Sequence, residues 1–331
     1  MKIAVIGAGL VGERHARIAA RRGVLACLID PEPRPDLCAE LGVPQLDTPP
    51  ADTDGAIVAT PNQTHAAVAV PLLRRGIPCL IEKPIAATTQ DARLIVAAER
   101  ETGTPVLVGY HRRHNPIIAR AKELISSGQI GRLTVVDAKF WLMKPEEYFD
   151  QTWRRQKGAG PIFINLTHDL DLLRHLVGDI EDVSAFTSSA VRGFEVEDSA
   201  AILIRFENGA LGTVTVSDTT PSPLSWELTS AENPAYPHIP GAVAYSIGGT
   251  LGTLTLPDLT LWQHPGAQGW WEPLEGASHA VSPADALDLQ FDHFLDICRG
   301  AARPFVTARE GLKSLEVVEA VIAAARRTYS D

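Results

Sequence analysis

The sequence predicts an α/β protein of two domains: a parallel, helix-covered sheet over residues 1–115, then an α+β domain over 116–331 with an open, mostly antiparallel sheet. Three observations carry that expectation. Residues 2–110 alternate short apolar runs with helical stretches, the grammar of βαβ units. After Gly131 longer β-rich stretches take over. Within them Glu207-Asn208-Gly209, set between two alternating runs, marks an antiparallel hairpin.

Strands of the first domain are expected at 2–6, 25–29, 55–59, 78–82 and 105–109, where compact apolar runs suit burial on both faces. Thr88 and Asp91 form a capping-box-like start to a helix ending before Gly103. Asn115-Pro116 supplies an N-cap and an N1 proline for a helix over 116–127. Strands of the second domain are expected at 132–142, 182–192, 198–206, 210–217, 224–230, 243–247 and 250–262. One helix, 161–177 with Gly178 as its stop, interrupts them, and 231–242, rich in Pro and Ala, reads as a loop. Helices over 283–299 and 308–328 close the chain and are expected to pack back on the first domain.

Bulk composition narrows the function classes. The 331 residues are 45% hydrophobic and 21% charged, an ordinary globular balance. A net charge of -10 argues against a nucleic-acid groove or an anionic membrane surface, which need clustered basic residues. Small molecules are the expected partners. Cys27, Cys38, Cys79 and Cys298 show no CxxC spacing and fit reduced thiols in a cytoplasmic setting. The chain enters directly into Lys2-Ile3-Ala4-Val5-Ile6 without a signal-like apolar region, and no stretch has the length to span a bilayer.

Gly7-Ala8-Gly9-Leu10-Val11-Gly12 matches G-x-G-x-x-G between the first strand and a helix. In that context glycines let the backbone approach a pyrophosphate, and the helix N-terminus offers free N–H groups to it. The motif therefore predicts a dinucleotide site of Rossmann type involving Gly7, Gly9, Leu10, Val11 and Gly12. Asp30 ends the second strand 18 residues past Gly12, where a carboxylate accepts the adenosine ribose hydroxyls and repels a 2'-phosphate. NAD is thus expected before NADP, although Arg34 stands close enough to keep dual use open. Thr60, Pro61, Asn62 and His65, past the third strand, are expected to line the same crevice.

Glu82-Lys83-Pro84 closes the fourth strand. Ligands of open α/β sheets bind beyond the carboxyl ends of such strands, so Glu82 and Lys83 join the cofactor residues and Lys83 becomes a candidate catalytic group. A surface lysine capping a strand is the alternative. On the helix over 161–177 a 100° wheel puts Ile162, Phe163, Leu166, Leu170, Leu173 and Val177 on a core arc. Asn165, His168, Asp169, Asp171 and His175 gather on the other side, where His168 suits a general base and a solvated polar face is the alternative. Helical spacing of His168, Asp171 and His175 raises a metal site, which the lack of a recognised ligand set elsewhere disfavours; no metal is expected. His111 and Arg112, past the fifth strand, are candidates for the substrate pocket with Asn165 and His168. Trp153 and Arg154, with Arg155 and Lys157, suggest an aromatic wall and cationic clamp. His15 and His293 read as ordinary helix residues.

With these residues in view, the chain resembles the glucose-fructose oxidoreductase and inositol dehydrogenase family, Gfo/Idh/MocA, over nearly its whole length. The resemblance rests on GAGLVG at 7–12, ATPNQTH at 59–65, EKP at 82–84, GYHRRHNP at 109–116 and GAGPIFINLTHDLDLLRHLVG at 158–178. It implies an N-terminal Rossmann domain, a C-terminal domain whose open sheet often mediates oligomerisation as a homodimer or homotetramer, and nicotinamide-dependent oxidation of a secondary alcohol or the reverse reduction. Carried over, Lys83 would bind and polarise the reacting oxygen and His168 would act as acid or base. One departure stands out. Many members carry an aspartate four residues before the histidine, where this chain has Ile164, about 40° from His168 on the wheel. Asn165 or Asp171 are the replacements the sequence offers. The leading expectation is an NAD(H)-dependent oxidoreductase acting on a small sugar, polyol or hydroxy acid; a non-catalytic NAD-binding regulator and an NAD-assisted glycosidase are the alternatives.

Overall fold

The computed structural model describes residues 1–327. Two compact units emerge: Met1–His111 with Leu287–Glu316, and Arg112–Ala286 with the described residues from Val317 onward.

The first unit holds β1 (Ile3–Ile6), α1 (Leu10–Arg21), β2 (Leu25–Ile29), α2 (Pro35–Leu41), β3 (Gly55–Val58), α3 (His65–Arg74), β4 (Cys79–Ile81), α4 (Thr89–Thr102) and β5 (Val106–Val108). All five strands are parallel, in the order β2-β1-β3-β4-β5. Consecutive residues such as Ile3, Ala4 and Val5 are fully buried, so both faces of the sheet are covered. Strand order reverses between β1 and β3, and their carboxyl ends bound the crevice in which such sheets seat ligands. Thr88 Oγ1 accepts the Asp91 N–H at 3.1 Å, and Gly103 ends α4 in the left-handed region, as the sequence predicts.

The second unit holds α5 (Pro116–Ser126), β6 (Leu133–Trp141), α6 (Pro161–Ile164), α7 (Leu166–Leu176), β7 (Ile180–Ser188), β8 (Ser199–Phe206), β9 (Leu211–Ser217), α8 (Trp226–Thr229), β10 (Tyr245–Gly249), β11 (Thr253–Leu256), β12 (Thr260–Gln263) and β13 (Glu275–Ser278). The eight strands run β13-β12-β11-β10-β6-β9-β8-β7, antiparallel except for the parallel pairing of β6 with β9. Glu207-Asn208-Gly209 forms the expected hairpin between β8 and β9, with Gly209 at φ +85°. One face of the sheet packs on α5 and α7, gathering Phe140, Ile202, Val214 and Tyr245 with Leu166, Leu170 and Leu173. The other face leaves Val135, Leu203 and Leu211 more than half exposed. Helices α9 (Ala286–Cys298) and α10 (Ala308–Arg327) end the described chain; position 328, expected in the last helix, lies outside the described residues.

Three expectations need correction, and one strand has no counterpart among them. The strand expected at 224–230 is the helical turn α8, because Ser225 Oγ accepts the Leu228 N–H at 3.3 Å and that local cap outcompetes the β-propensity of Trp226 and Thr229. The strand expected at 250–262 is the hairpin β11–β12, interrupted at Pro257, which has no N–H to give a ladder. Strand β13 is fully exposed and its sequence, Glu-Gly-Ala-Ser, carries no apolar alternation to announce it. The helix expected over 161–177 breaks at Asn165 into α6 and α7, and α7 has no solvent face: Asp169 and Asp171 are each 1% exposed. Ion pairs with arginines make that burial tolerable.

Candidate functional site

In the first unit the glycine loop is set by close approach. A Cβ on Gly7, which sits at φ +90°, would stand 2.6 Å from the backbone of Ala59 and Thr60; one on Gly12 would stand 1.8 Å from Gly7 O. These two glycines lock the loop to the end of β3 and to itself. Gly9 differs, since a Cβ there would meet nothing within 4 Å and its φ of -73° suits any residue. Protein packing does not demand a glycine at that point. No side chain caps the α1 N-terminus, so open space at Gly9 adjoins uncapped backbone N–H groups, the arrangement that suits a pyrophosphate. Leu10 and Val11 are exposed on the first turn of that helix.

Asp30 continues the cradle. Its Oδ2 accepts the Ala8 N–H at 2.6 Å and its Oδ1 accepts the Glu32 N–H at 2.9 Å, which fixes the carboxylate beside the glycine loop. Across β3, Thr64 Oγ1 donates to Pro61 O at 2.7 Å and lies 2.8 Å from Thr60 Oγ1, holding the turn that carries Asn62. His65 is buried behind this turn. Its Nε2 lies 2.9 Å from Thr60 O, and its Nδ1 lies 3.1 and 3.2 Å from Pro84 O and Ile85 O. It therefore ties the turn after β3 to the turn after β4. Burial pushes its imidazole below the ordinary range, against the pull of those carbonyls.

Lys83 follows β4 and is partly buried, at a cis bond to Pro84. Its N–H points to Glu82 Oε2 at 3.2 Å, and Glu82 Oε1 lies 2.7 Å from Nε2 of the wholly buried His15. Burial raises the Glu82 carboxyl, but the His15 hydrogen bond and the charges of His15, His111 and Lys83 outweigh it and leave the group below its usual range. His15, read from the sequence as an ordinary helix residue, is thus a partner of the lysine turn. Its place one turn after Gly12, on the inner side of α1 with Ala16 and Ala19, was the available signal.

In the second unit Asn165 ends α6 and precedes α7, and its Oδ1 is enclosed with no hydrogen-bond partner among the described residues. His168 is 7% exposed on the first turn of α7. Asp171, one of the two replacements the sequence offers for the missing aspartate, receives Arg113 Nε at 2.8 Å and Nη2 at 2.7 Å in a buried bidentate pair. Asp169 Oδ1 accepts from Arg112 Nη1 at 3.2 Å and from Tyr245 Oη. Burial pushes the Asp169 carboxyl up to about 6, against the opposing pull of Arg112. Arg112 also pairs with Glu227 and lies over the Trp226 ring. The structure thus places Arg112 inside a buried charge network, while His111 belongs to the first unit.

Trp153 is half exposed, with its Nε1 donating to Gln151 Oε1 at 2.8 Å. Arg154 stacks 4.1 Å from the Tyr148 ring centroid and donates from Nη1 to Tyr148 O at 2.7 Å, whereas Lys157 is exposed. Among the described residues no group of three His, Cys, Asp or Glu is arranged to hold a metal ion, and no helix is long and apolar enough to cross a membrane.

A family model described as the oxidoreductase family with NAD-binding Rossmann fold matches residues 1–110, and one for the GFO/IDH/MocA C-terminal domain matches 118–255. Scyllo-inositol 2-dehydrogenase (NAD(+)) of Bacillus subtilis is 28% identical over 345 residues, 96% of this chain and 92% of that protein. The rhizopine catabolism protein MocA of Rhizobium meliloti is 25% identical, across 96% of this chain and 93% of its own. Among solved structures, the WlbA dehydrogenase of Bordetella pertussis, determined with NADH and UDP-GlcNAcA, shares the fold with a TM-score of 0.77 at 24% identity, over 99% of this chain and 97% of its own. The two matched domains and the glycine cradle agree: the chain belongs to the Gfo/Idh/MocA family of oxidoreductases, with an NAD-binding Rossmann domain.

Proposed function

We propose that the protein oxidises a secondary alcohol of a small sugar, polyol or hydroxy acid, or reduces the corresponding carbonyl, with NAD(H). The observation that carries this reading is the cradle of Gly7, Gly9, Gly12 and Asp30, in which only Gly9 faces open space, inside a chain matched at both domains to an oxidoreductase family. Bound NAD supplies a hydride acceptor at nicotinamide C4. In the oxidative direction the carbinol C–H bond of the substrate breaks with its electron pair leaving as hydride, and the hydroxyl proton is taken up by a protein base.

Lys83 binds the reacting oxygen and stabilises the charge that develops on it, and His168 holds and moves the proton. Asn165, whose enclosed Oδ1 has no hydrogen-bond partner among the described residues, accepts a substrate hydroxyl. Trp153 and Arg154 would border the substrate, with His111 and Arg112 supporting the surrounding turns. Relatives named for inositol and levoglucosan support a polyhydroxylated substrate. A homodimer or homotetramer is supported by the apolar side chains left on the open sheet face.

The test is direct. Purified protein is incubated with NAD and a panel of polyols, aldoses and hydroxy acids, and absorbance of the reduced nicotinamide is followed. At least one class should give turnover. Measurable NAD binding with no absorbance change from any member would sink the reading and favour a cofactor-binding regulator.

A further inference from the structure

Arg34 is the cation best placed in sequence to receive the 2'-phosphate that distinguishes NADP from NAD, yet in the structure it is already engaged. Its Nη1 donates to Ala8 O, and its Nη2 lies 3.1 Å from Glu13 Oε2. Glu13 sits on the first turn of α1 and divides itself between two arginines, with Oε1 2.8 Å from Arg17 Nη2. Arg17 in turn pairs with Glu40 through Nη1.

The backbone of Arg34 is fixed as firmly as its head group. Pro33 and Pro35 flank it, and its N–H donates to Gln45 Oε1 at 2.8 Å. Gln45 Nε2 donates to Asp30 O at 2.8 Å and Glu32 O at 2.9 Å, so the segment from Asp30 to Arg34 is stapled as one piece. Arg34 therefore reaches the glycine loop from a rigid base. Only its side chain is free to exchange partners.

We infer that Glu13 is a specificity-determining residue: by holding Arg34 on the glycine loop it withholds a cation that would reward a 2'-phosphate, and so sharpens the choice of NAD over NADP. The inference rests on the crevice binding a nicotinamide dinucleotide. Asp30 sets the first barrier, a carboxylate held beside the glycine loop that repels a 2'-phosphate. Glu13 sets the second, because Arg34 must leave a carboxylate before it can meet a phosphate. A guanidinium in bidentate reach of a phosphate is a strong pairing, so its release has a measurable effect.

Direct binding tests this without turnover. Dissociation constants for NADH and NADPH are measured by isothermal titration at low ionic strength for the wild type, Glu13→Gln, Arg34→Ala and the double variant. Glu13→Gln should tighten NADPH by about two- to fivefold, the scale of one added exposed charge contact, while NADH changes less than about 1.5-fold. Arg34→Ala alone should leave NADPH unchanged, since that guanidinium is spoken for, and in the Glu13→Gln background it should remove the gain. Raised salt should shrink the gain as well.

Several results overturn the inference. One is a NADPH-to-NADH ratio in Glu13→Gln equal to that of the wild type, with NADH still bound. Another is a gain that survives loss of Arg34, and a third is weaker NADPH binding in Arg34→Ala alone, which would show the arginine already available. Wild-type protein that binds neither dinucleotide removes the cofactor reading itself, and this inference with it.

Discussion

Nε2 of His15 lies 2.7 Å from Oε1 of Glu82, joining the first helix to the residue before Lys83 in a buried pair. The other carboxylate oxygen of Glu82 faces the Lys83 N–H at 3.2 Å, so the pair fixes the turn from which the lysine projects. A Cβ on Gly109 would come within 2.9 Å of Glu82 Oε2, which confines the carboxylate from the β5 side.

Removal of one partner from such a pair leaves a buried charge unpaired. His15→Leu should therefore destabilise the protein by about 3 kcal/mol, read by denaturant unfolding. The pH dependence has a definite sign. Because the folded carboxyl of Glu82 lies below its unfolded value, its contribution is present above about pH 4.3 and is lost as pH falls through the folded value. The wild type should lose stability on acidification below that point more steeply than His15→Leu. Equal slopes would show that the pair is not the source of the shift.

The glycine loop yields a sharper contrast. Gly12→Ala puts a methyl 1.8 Å from Gly7 O, so backbone must move and stability should fall by about 2 to 3 kcal/mol. Gly9→Ala puts the methyl into open space, so unfolding should be nearly unchanged while NAD affinity drops by about tenfold or more. Thermal unfolding beside NADH titration separates the two. Unchanged NADH affinity in Gly9→Ala would mean that the pyrophosphate does not cross that point.

What was legible in the sequence was local. Five short apolar strands, a glycine motif in its strand-to-helix setting and the Glu207-Asn208-Gly209 hairpin each carry their signal within a few residues. The missed features depend on partners far along the chain. Asp169 and Asp171 read as a polar helix face because their arginines, Arg112 and Arg113, lie 57 and 58 residues upstream. His15 and Glu82 are 67 residues apart, so a wheel shows His15 facing inward without showing what it meets. At Trp226–Thr229 the failure was of another kind: a single serine cap decided a segment whose residue types favour a strand.

Lys83→Met and His168→Asn separate binding from chemistry. On the proposed role of Lys83 at the reacting oxygen, Lys83→Met should lower kcat by about three orders of magnitude and leave NADH affinity within about threefold. Loss of NADH binding instead would make the lysine a cofactor residue alone. His168→Asn should lower kcat by about two to four orders and abolish the acidic limb of the oxidation profile. If that limb persists, the base is another group.

Asp171→Asn tests whether the acid nearest in type to the missing aspartate has any part in proton transfer. Each of its oxygens accepts one bond from Arg113, so the substitution should cost about 3 kcal/mol of stability, and the pH profile of turnover is expected to stay in place. A displaced profile would return Asp171 to the reaction.

Asp169 gives the opposite sign to Glu82. Burial lifts its folded carboxyl to about 6, above the unfolded value near 3.9, while Arg112, Glu227 and Tyr245 are the titratable groups that face it. A raised acid favours the folded state while it is protonated. Its contribution is therefore fully present below about pH 4, declines as pH rises towards 6 and is level above that. Asp169→Asn should flatten the stability curve across that window, read by calorimetric unfolding from pH 4 to 7. A curve as steep as that of the wild type would mean that the Arg112 charge holds Asp169 ionised throughout, and that another buried acid titrates there.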